Sequence, residues 1–115
     1  MEPPVNMDRM REASLDDHEF MCELIDIFLD DAPTQVESLR VAVESRDCGA
    51  VLNAAHRIKG ASSNLGADSL SALCARLEED GRGGHTVTLE AMMERVDSEF
   101  GRVASFLGDV KAGGT

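Results

Sequence analysis

The chain has 115 residues, 43% of them hydrophobic, and 22 acidic residues against 11 basic ones give it a formal net charge of −11. A chain of this length forms one domain around a single core. So strong a negative charge argues against nucleic-acid and anionic-membrane partners, because both would repel it, and we expect the partner to be another protein.

The N-terminal third predicts a leader followed by two helices. Residues 1–13, with two prolines and mixed charge, are expected to be partly disordered or to form a short accessory helix. Ser14 with an acidic residue three positions on resembles a helix cap and predicts a helix over 14–31. Pro33 suits the first turn of a second helix, over 33–46. The positions expected to face inwards are Phe20, Leu24, Ile27, Phe28, Val36, Leu39 and Val43.

Three further helices are predicted in the rest of the chain. One runs over 47–65, where Gly66 can adopt the left-handed conformation that ends a helix. Another runs from residue 67 or 68 to about 80, and the glycine-rich segment 81–84 predicts a loop. A long last helix follows over 89–107. The expected buried positions of the last two helices are Leu70, Leu73, Leu77, Leu89, Met92, Met93, Val96, Phe100, Val103 and Leu107.

No stretch alternates apolar and polar residues as a half-buried strand would. The sequence therefore predicts an all-α, up-and-down antiparallel four-helix bundle with a short N-terminal extension or accessory helix. We divide the chain into a leader (1–13), a helical bundle (14–110) and a flexible tail (111–115). Since one copy provides a complete core, we expect a monomer.

The chain shows no sign of a membrane span, a signal peptide or a metal site. No apolar run approaches roughly 18 residues, and the N-terminus lacks a charged-then-apolar signal, so we expect a cytoplasmic protein. Cys22, Cys48 and Cys74 are odd in number and far apart, which favours buried free thiols over disulfides or metal ligands. His18 and His85 belong to no Glu-x-x-His pair, so no di-metal site of the helix-bundle type is predicted.

The segment 54–67 places a histidine away from the apolar side of its own helix. The apolar stripe of that helix consists of Val51, Ala55, Ile58, Ser62 and Leu65. His56 points roughly 140° from the centre of this stripe and should face solvent. Lys59 and Gly60 follow it by three and four residues, the spacings that share a helix face. An imidazole is largely neutral at pH 7 and keeps a lone pair for nucleophilic attack, so a nucleophile, a cation and a gap occupy one face.

The order His-x-x-Lys-Gly-x-Ser-x-x-x-Gly-Ala resembles the signature of histidine-containing phosphotransfer (Hpt) domains, the carriers of two-component phosphorelays. The matching residues are His56, Lys59, Gly60, Ser62, Leu65, Gly66 and Ala67. Segments 28–33 and 70–78 also look like the family's flanking helices, and the resemblance covers about residues 17–108. It implies that His56 takes a phosphoryl group on its distal nitrogen from a receiver-domain aspartate, or from a histidine kinase, and passes it to a response-regulator aspartate.

The resemblance also implies roles for the neighbours of this histidine. Lys59 would lie against the phosphoryl oxygens and offset the repulsion of an incoming anion by an acidic protein. Gly60, on the open face, would leave room for the active-site loops of the partner. Ser63, Leu52 and Arg57 are further candidates for phosphate or docking contacts.

No nucleotide-binding or kinase motif is present, so we expect a phosphocarrier and not an enzyme. No cofactor of its own is expected, because the receiver would supply both the aspartate and its Mg²⁺. Sensor or hybrid histidine kinases and response-regulator receivers are the expected partners. One alternative is a substrate domain cut from a hybrid or chemotaxis-type kinase, although Met1 and the tail favour a free-standing protein. Another is an adaptor that binds receivers or kinases without transfer, which His56 and Lys59 argue against.

Overall fold

The computed structural model describes residues 2–113, which form five α-helices and no β-strand. The helices are α1 (Met7–Ala13), α2 (His18–Glu44), α3 (Cys48–Asn64), α4 (Asp68–Gly83) and α5 (Leu89–Lys111). Helices α2 to α5 pack in a ring, in which α3 contacts α2 and α4 while α5 contacts α4 and α2. The predicted four-helix bundle with an accessory N-terminal helix is confirmed. No helix of the described residues is long and apolar enough to cross a membrane.

Helix α2 is one continuous helix, His18–Glu44, so the prediction of two helices on either side of Pro33 is wrong. Pro33 lies inside α2 on its exposed side. Proline has no backbone N–H to donate to the Leu29 carbonyl, and this missing hydrogen bond by itself favours a break in the helix. Ala32 and Val36 are nevertheless buried on the side that faces the other helices. Packing along the whole length of α2 therefore outweighs the local cost of the proline.

The beginning of α2 also differs from the prediction. Ser14 is the C-cap of α1, not the N-cap of α2, and its side chain is buried. Asp17 is the actual N-cap, and its carboxylate accepts a hydrogen bond of 3.2 Å from the Phe20 amide. Between the two caps, Leu15 and Asp16 have positive φ angles of 55° and 58°. This left-handed turn ends one helix and starts the next.

The buried face of α2 is rotated from the predicted one. Ile27, expected to face inwards, is 65% exposed, while Phe20 and Leu24 are half-buried. Met21 and Ile25 are buried in their place. Positions 20, 24 and 27 and positions 21, 25 and 28 satisfy the helical period equally well, so contacts with the neighbouring helices decide between them.

The predicted loop over 81–84 is wrong for its first three residues, which continue α4. Gly81 is buried where α3 and α4 approach closely. A Cβ atom there would lie 2.8 Å from the carbonyl oxygen of Cys48 and 3.1 Å from the amide nitrogen of Leu52. Gly84, with a φ angle of 70°, is the residue that ends the helix.

The N-terminal leader contains α1 and packs on the bundle near the turn between α3 and α4. Met10 is fully buried, and the Asn6 amide donates a hydrogen bond of 2.8 Å to the Gly66 carbonyl. At the other end of the chain, α5 extends through Lys111, the first residue of the predicted tail. Residues 114–115 of that tail lie outside the described residues.

Candidate functional site

His56 lies on the outer face of α3 with 69% of its side chain exposed. Gly60, one turn further along, is exposed too, and Lys59 is half-buried. On the opposite side of the helix, Ile58 and Ser62 are buried. The structure thus places the imidazole on the solvent face that the helical wheel predicts, and it gives Ser62 a place in the packing between helices.

A carboxylate from the next helix lies beneath the imidazole. Nδ1 of His56 is 3.0 Å from Oε2 of Glu78, whose side chain is only 7% exposed. The other oxygen of Glu78, Oε1, is 2.5 Å from Nζ of Lys59. Arg82, one turn along α4, places its guanidinium 3.8 Å from Oε2. Glu78 therefore connects all three basic groups of the site.

The protonation of Glu78 determines which nitrogen of His56 is free. Burial raises the pKa of this carboxyl, but the hydrogen bonds from Lys59 and His56 outweigh burial and bring the pKa below its ordinary value. Glu78 is therefore ionised near neutral pH and can only accept hydrogen bonds. Nδ1 of a neutral His56 must then carry the hydrogen, which leaves the lone pair on Nε2, the distal nitrogen.

The surface beside His56 is open at Gly60. Apart from its two chain neighbours and the adjoining backbone of α3, no atom lies within 4 Å of the place where a Cβ of Gly60 would be. The glycine is therefore not required for packing inside the bundle. Its effect is to keep the surface low one turn from the imidazole.

Comparison with known proteins agrees with this geometry. Residues 23–105 match the family model of the Hpt domain. The chain belongs to the Hpt domain family. It is also similar to the crystal structure of histidine-containing phosphotransfer protein B (HptB) from Pseudomonas aeruginosa PAO1, with a TM-score of 0.90 and 28% identity over 97% of each chain. A comparison with curated proteins finds no match.

The family membership confirms the resemblance read from the sequence motif. The chain is accordingly an Hpt protein, a histidine phosphotransfer intermediate of phosphorelays. Members of the family are phosphocarriers, in keeping with the absence of a nucleotide-binding motif from the sequence.

The other three candidate residues of this Hpt domain form no hydrogen bond or ion pair with His56 within residues 2–113. Ser63 is half-buried, and Arg57 is exposed and forms no ion pair with these residues. Leu52 is half-buried because its Cβ faces Gly81 of α4. Leu52 was expected to belong to a docking patch, but part of its side chain is used in the contact between α3 and α4.

The other two histidines lie apart from the site. His18 Nε2 is 3.5 Å from Cys22 Sγ, and His85 Nδ1 is 4.0 Å from a carboxylate oxygen of Asp80. Within the described residues, neither ring lies within hydrogen-bond distance of a buried carboxylate, as that of His56 does. In the part of the chain that the structure describes, no group of three or more His, Cys, Asp or Glu side chains is arranged to hold a metal ion.

The three thiols of the Hpt domain are free, but they are not equally buried. Cys74 is fully buried, and burial, with the nearby charge of Glu78, raises the pKa of its thiol to about 12. It is therefore protonated at neutral pH and acts as a packing residue behind the site. Cys22 and Cys48 are only half-buried, so the prediction of buried thiols is correct for Cys74 alone.

Sequence reasoning missed Glu78 and Arg82. The sequence signal for Glu78 was its position on the helix. It directly follows the buried Leu77 and lies four residues after the buried Cys74. An acidic residue at the edge of a buried stripe needs a cationic or hydrogen-bonding partner. The identity of that partner depends on which helix packs alongside, and the sequence of α4 does not contain this information.

Proposed function

We propose that His56 is the residue of this Hpt protein that accepts and donates the phosphoryl group, and that it does so through Nε2. The observation that carries the proposal is the contact between Nδ1 and the buried, ionised Glu78. This contact leaves the lone pair on the exposed nitrogen. It also holds a negative charge beside the ring, where positive charge develops as the ring attacks.

The transfer step balances without a further reagent. Nε2 of His56 attacks the phosphorus of a receiver aspartyl phosphate. The Nε2–P bond forms while the bond from phosphorus to the aspartyl oxygen breaks, and the aspartate leaves as a carboxylate. The hydrogen stays on Nδ1 against Glu78. The reverse step returns the phosphoryl group to an aspartate, so the carrier works in both directions.

Lys59 and Arg82 are the two cations that we propose for the phosphoryl oxygens. Lys59 lies 2.5 Å from Glu78, and the Arg82 guanidinium lies 3.8 Å from the same carboxylate, beyond hydrogen-bond distance. In a protein with a net charge of −11 this local positive charge reduces the repulsion of an incoming phosphoryl group. The open surface at Gly60 would admit the loops of the partner.

Receiver domains and a sensor or hybrid histidine kinase are the partners that we propose. The receiver would bring the acceptor aspartate and its Mg²⁺, so the carrier needs no cofactor of its own. A substrate domain of a larger kinase would use the same His56, whereas a non-transferring adaptor would have no need of the Glu78 contact. The cytoplasmic location and the monomeric state remain predictions.

Incubation with phosphorylated receiver domains tests the proposal. Wild-type protein should acquire an acid-labile, base-stable label, as a phosphohistidine does. His56→Gln should fold normally, because the side chain is mostly exposed, and should acquire none, because glutamine lacks the nucleophilic lone pair. A label that persists in the variant would move the site to His18 or His85.

A further inference from the structure

A groove of about 520 Å³ between α4 and α5 lies apart from the phosphotransfer site. Three arginines line it, Arg76 from α4 and Arg95 and Arg102 from α5. The only acidic residue in its lining is Glu99. The groove is therefore positively charged, opposite in sign to the protein as a whole.

The distribution of ion pairs makes this local charge unusual. Eight of the 11 basic side chains form an ion pair within the described residues. The three that do not are Arg57, Arg76 and Arg95. Two of these three line the same groove, although acidic residues outnumber basic ones two to one. Arg76 and Arg95 are thus exposed cations that form no ion pair with any carboxylate of residues 2–113.

Glu99 adds a second and independent feature. It is 8% exposed, and its Oε1 accepts a hydrogen bond of 2.8 Å from Arg102 Nη1. Its Oε2 is buried and has no hydrogen-bond partner among the described residues. Buried polar atoms are rarely left unpaired, because the lost hydration is costly. The groove therefore has an unpaired acceptor beneath its surface, which a donor group of a ligand reaches once the side chains that cover it move aside.

The groove and His56 lie on opposite sides of α4. Arg76 and Glu78 are two residues apart, which separates their directions by about 160° on a helix. Glu78 points to α3 and contacts His56, while Arg76 lines the groove towards α5. A molecule in the groove would leave the phosphotransfer face free.

We propose that the groove between α4 and α5 is a docking site for an acidic segment of a partner protein, one that also offers a hydrogen-bond donor to Glu99. Arg95 and Arg102 lie seven residues apart on α5, about 10 Å along the helix. A segment with several carboxylates matches a row of cations of this length better than one small anion does. Such a segment would hold a partner on the carrier while His56 exchanges phosphoryl groups, and the proposal stands whether or not His56 is the acceptor.

Fluorescence anisotropy at low ionic strength tests this docking site with the 115-residue chain. The probe is a fluorescein-labelled pentapeptide of four glutamates around a central serine. Arg76→Glu combined with Arg95→Glu should weaken binding at least tenfold. Arg11→Glu combined with Arg46→Glu changes the net charge equally, at exposed sites outside the groove, and should weaken binding no more than about twofold. Equal weakening by both double variants would overturn the proposal.

Four further measurements separate the alternatives. Arg76→Gln with Arg95→Gln should also weaken binding, with an unchanged circular dichroism spectrum, since neither arginine forms an ion pair. A peptide with central alanine should bind several-fold more weakly, and equal binding would overturn the role of Glu99. Millimolar inorganic phosphate should not displace the peptide, and full displacement would show a general anion site in place of a segment-docking site. His56→Gln should bind the peptide like wild type, and loss of binding there would also overturn the proposal.

Discussion

The contact between Glu78 and His56 pairs a buried carboxylate with an exposed imidazole, and the two groups have different tasks. The buried group stays in place, ionised by its contacts with Lys59 and His56, and orients the ring. The exposed group is free to meet a partner. In the proposed transfer Glu78 is a positioning residue, since it would act on the phosphoryl group only through His56 and the two cations.

Glu78→Gln should slow phosphoryl transfer to His56 by roughly 10- to 100-fold, the effect of losing a hydrogen bond to a charged group. Glutamine keeps the shape but removes the charge and no longer forces the hydrogen onto Nδ1. Nitrogen NMR of the imidazole should show this as a shift towards a mixture of the two tautomers. Glu79→Gln is the matched control, because Glu79 is exposed and lies on the same helix. Unchanged tautomer and rate in Glu78→Gln would contradict the positioning role.

Lys59→Ala should leave helical content intact and either slow transfer or shorten the lifetime of the phosphohistidine. The reason is the loss of a charge-assisted contact to the phosphoryl oxygens. The measurement is the rate of label transfer in each direction and the decay of labelled carrier. Lys111→Ala is the control, since Lys111 is the only other lysine and ends α5, away from the site. Equal transfer rates and equal decay of the label in the two variants would show that Lys59 has no role in transfer.

Helices α3 and α4 form the site between them, and two glycines show how closely they are packed. Gly81 lies in the contact, where a side chain would meet the backbone of Cys48 and Leu52. Gly60 lies on the open surface beside His56, where a Cβ atom would meet no atom of another helix. Both glycines are inside helices, so the same substitution at each compares packing directly.

Gly60→Ala should raise the free energy of unfolding by about 0.5–1 kcal/mol, because alanine is the better helix former. Gly81→Ala should lower it by about 1–3 kcal/mol, because the close approach of α3 and α4 leaves no room for a methyl group. Urea denaturation of both variants measures the two changes. Destabilisation of the same size at both positions would mean that Gly60 also has a packing role.

A longer side chain at Gly60 separates stability from function. Gly60→Gln should remain folded, since the surface there is open, and should block transfer from a phosphorylated receiver. Gly60→Ala should transfer at close to the wild-type rate. Full transfer by folded Gly60→Gln would contradict the proposal that this gap admits the partner.

The molecule as a whole is strongly acidic, yet two carboxyls support its fold by staying ionised. Glu78 links α4 to α3, and Asp97 of α5 accepts two hydrogen bonds from the Arg40 guanidinium of α2, at 2.6 and 2.7 Å. The Arg40 contact lowers the pKa of Asp97, as the contacts described above lower that of Glu78. Each ion pair therefore joins two helices of the ring.

Acid should destabilise the protein through these two groups. A carboxyl whose pKa is lower in the folded state stabilises the fold above its unfolded pKa, about 4.3 for Glu and 3.9 for Asp. That stabilisation is lost as the pH falls through the folded pKa. Urea unfolding between pH 7 and pH 3 should show that the free energy of unfolding falls more steeply for wild type than for Glu78→Gln combined with Asp97→Asn. Identical pH dependence would show that other carboxyls control acid unfolding.

The sequence by itself determined the features that belong to one helix at a time. The apolar repeat and the short connections predicted an all-α four-helix bundle, although they divided α2 into two helices at Pro33. The same periodicity placed His56, Lys59 and Gly60 on the solvent face of α3, because the spacing of residues along a helix determines their direction without reference to any other element.

Only the tertiary structure decided the features that depend on two elements meeting. Glu78 lies 22 residues from His56 and reaches it because α4 packs on α3. Pro33 stays inside α2, and Gly81 inside α4, for the same kind of reason. In each case the local sequence favours a break or a loop, and burial against a neighbouring helix outweighs this preference. The sequence of one helix does not reveal this outcome, because the free energy of burial is gained only once the helices have packed together.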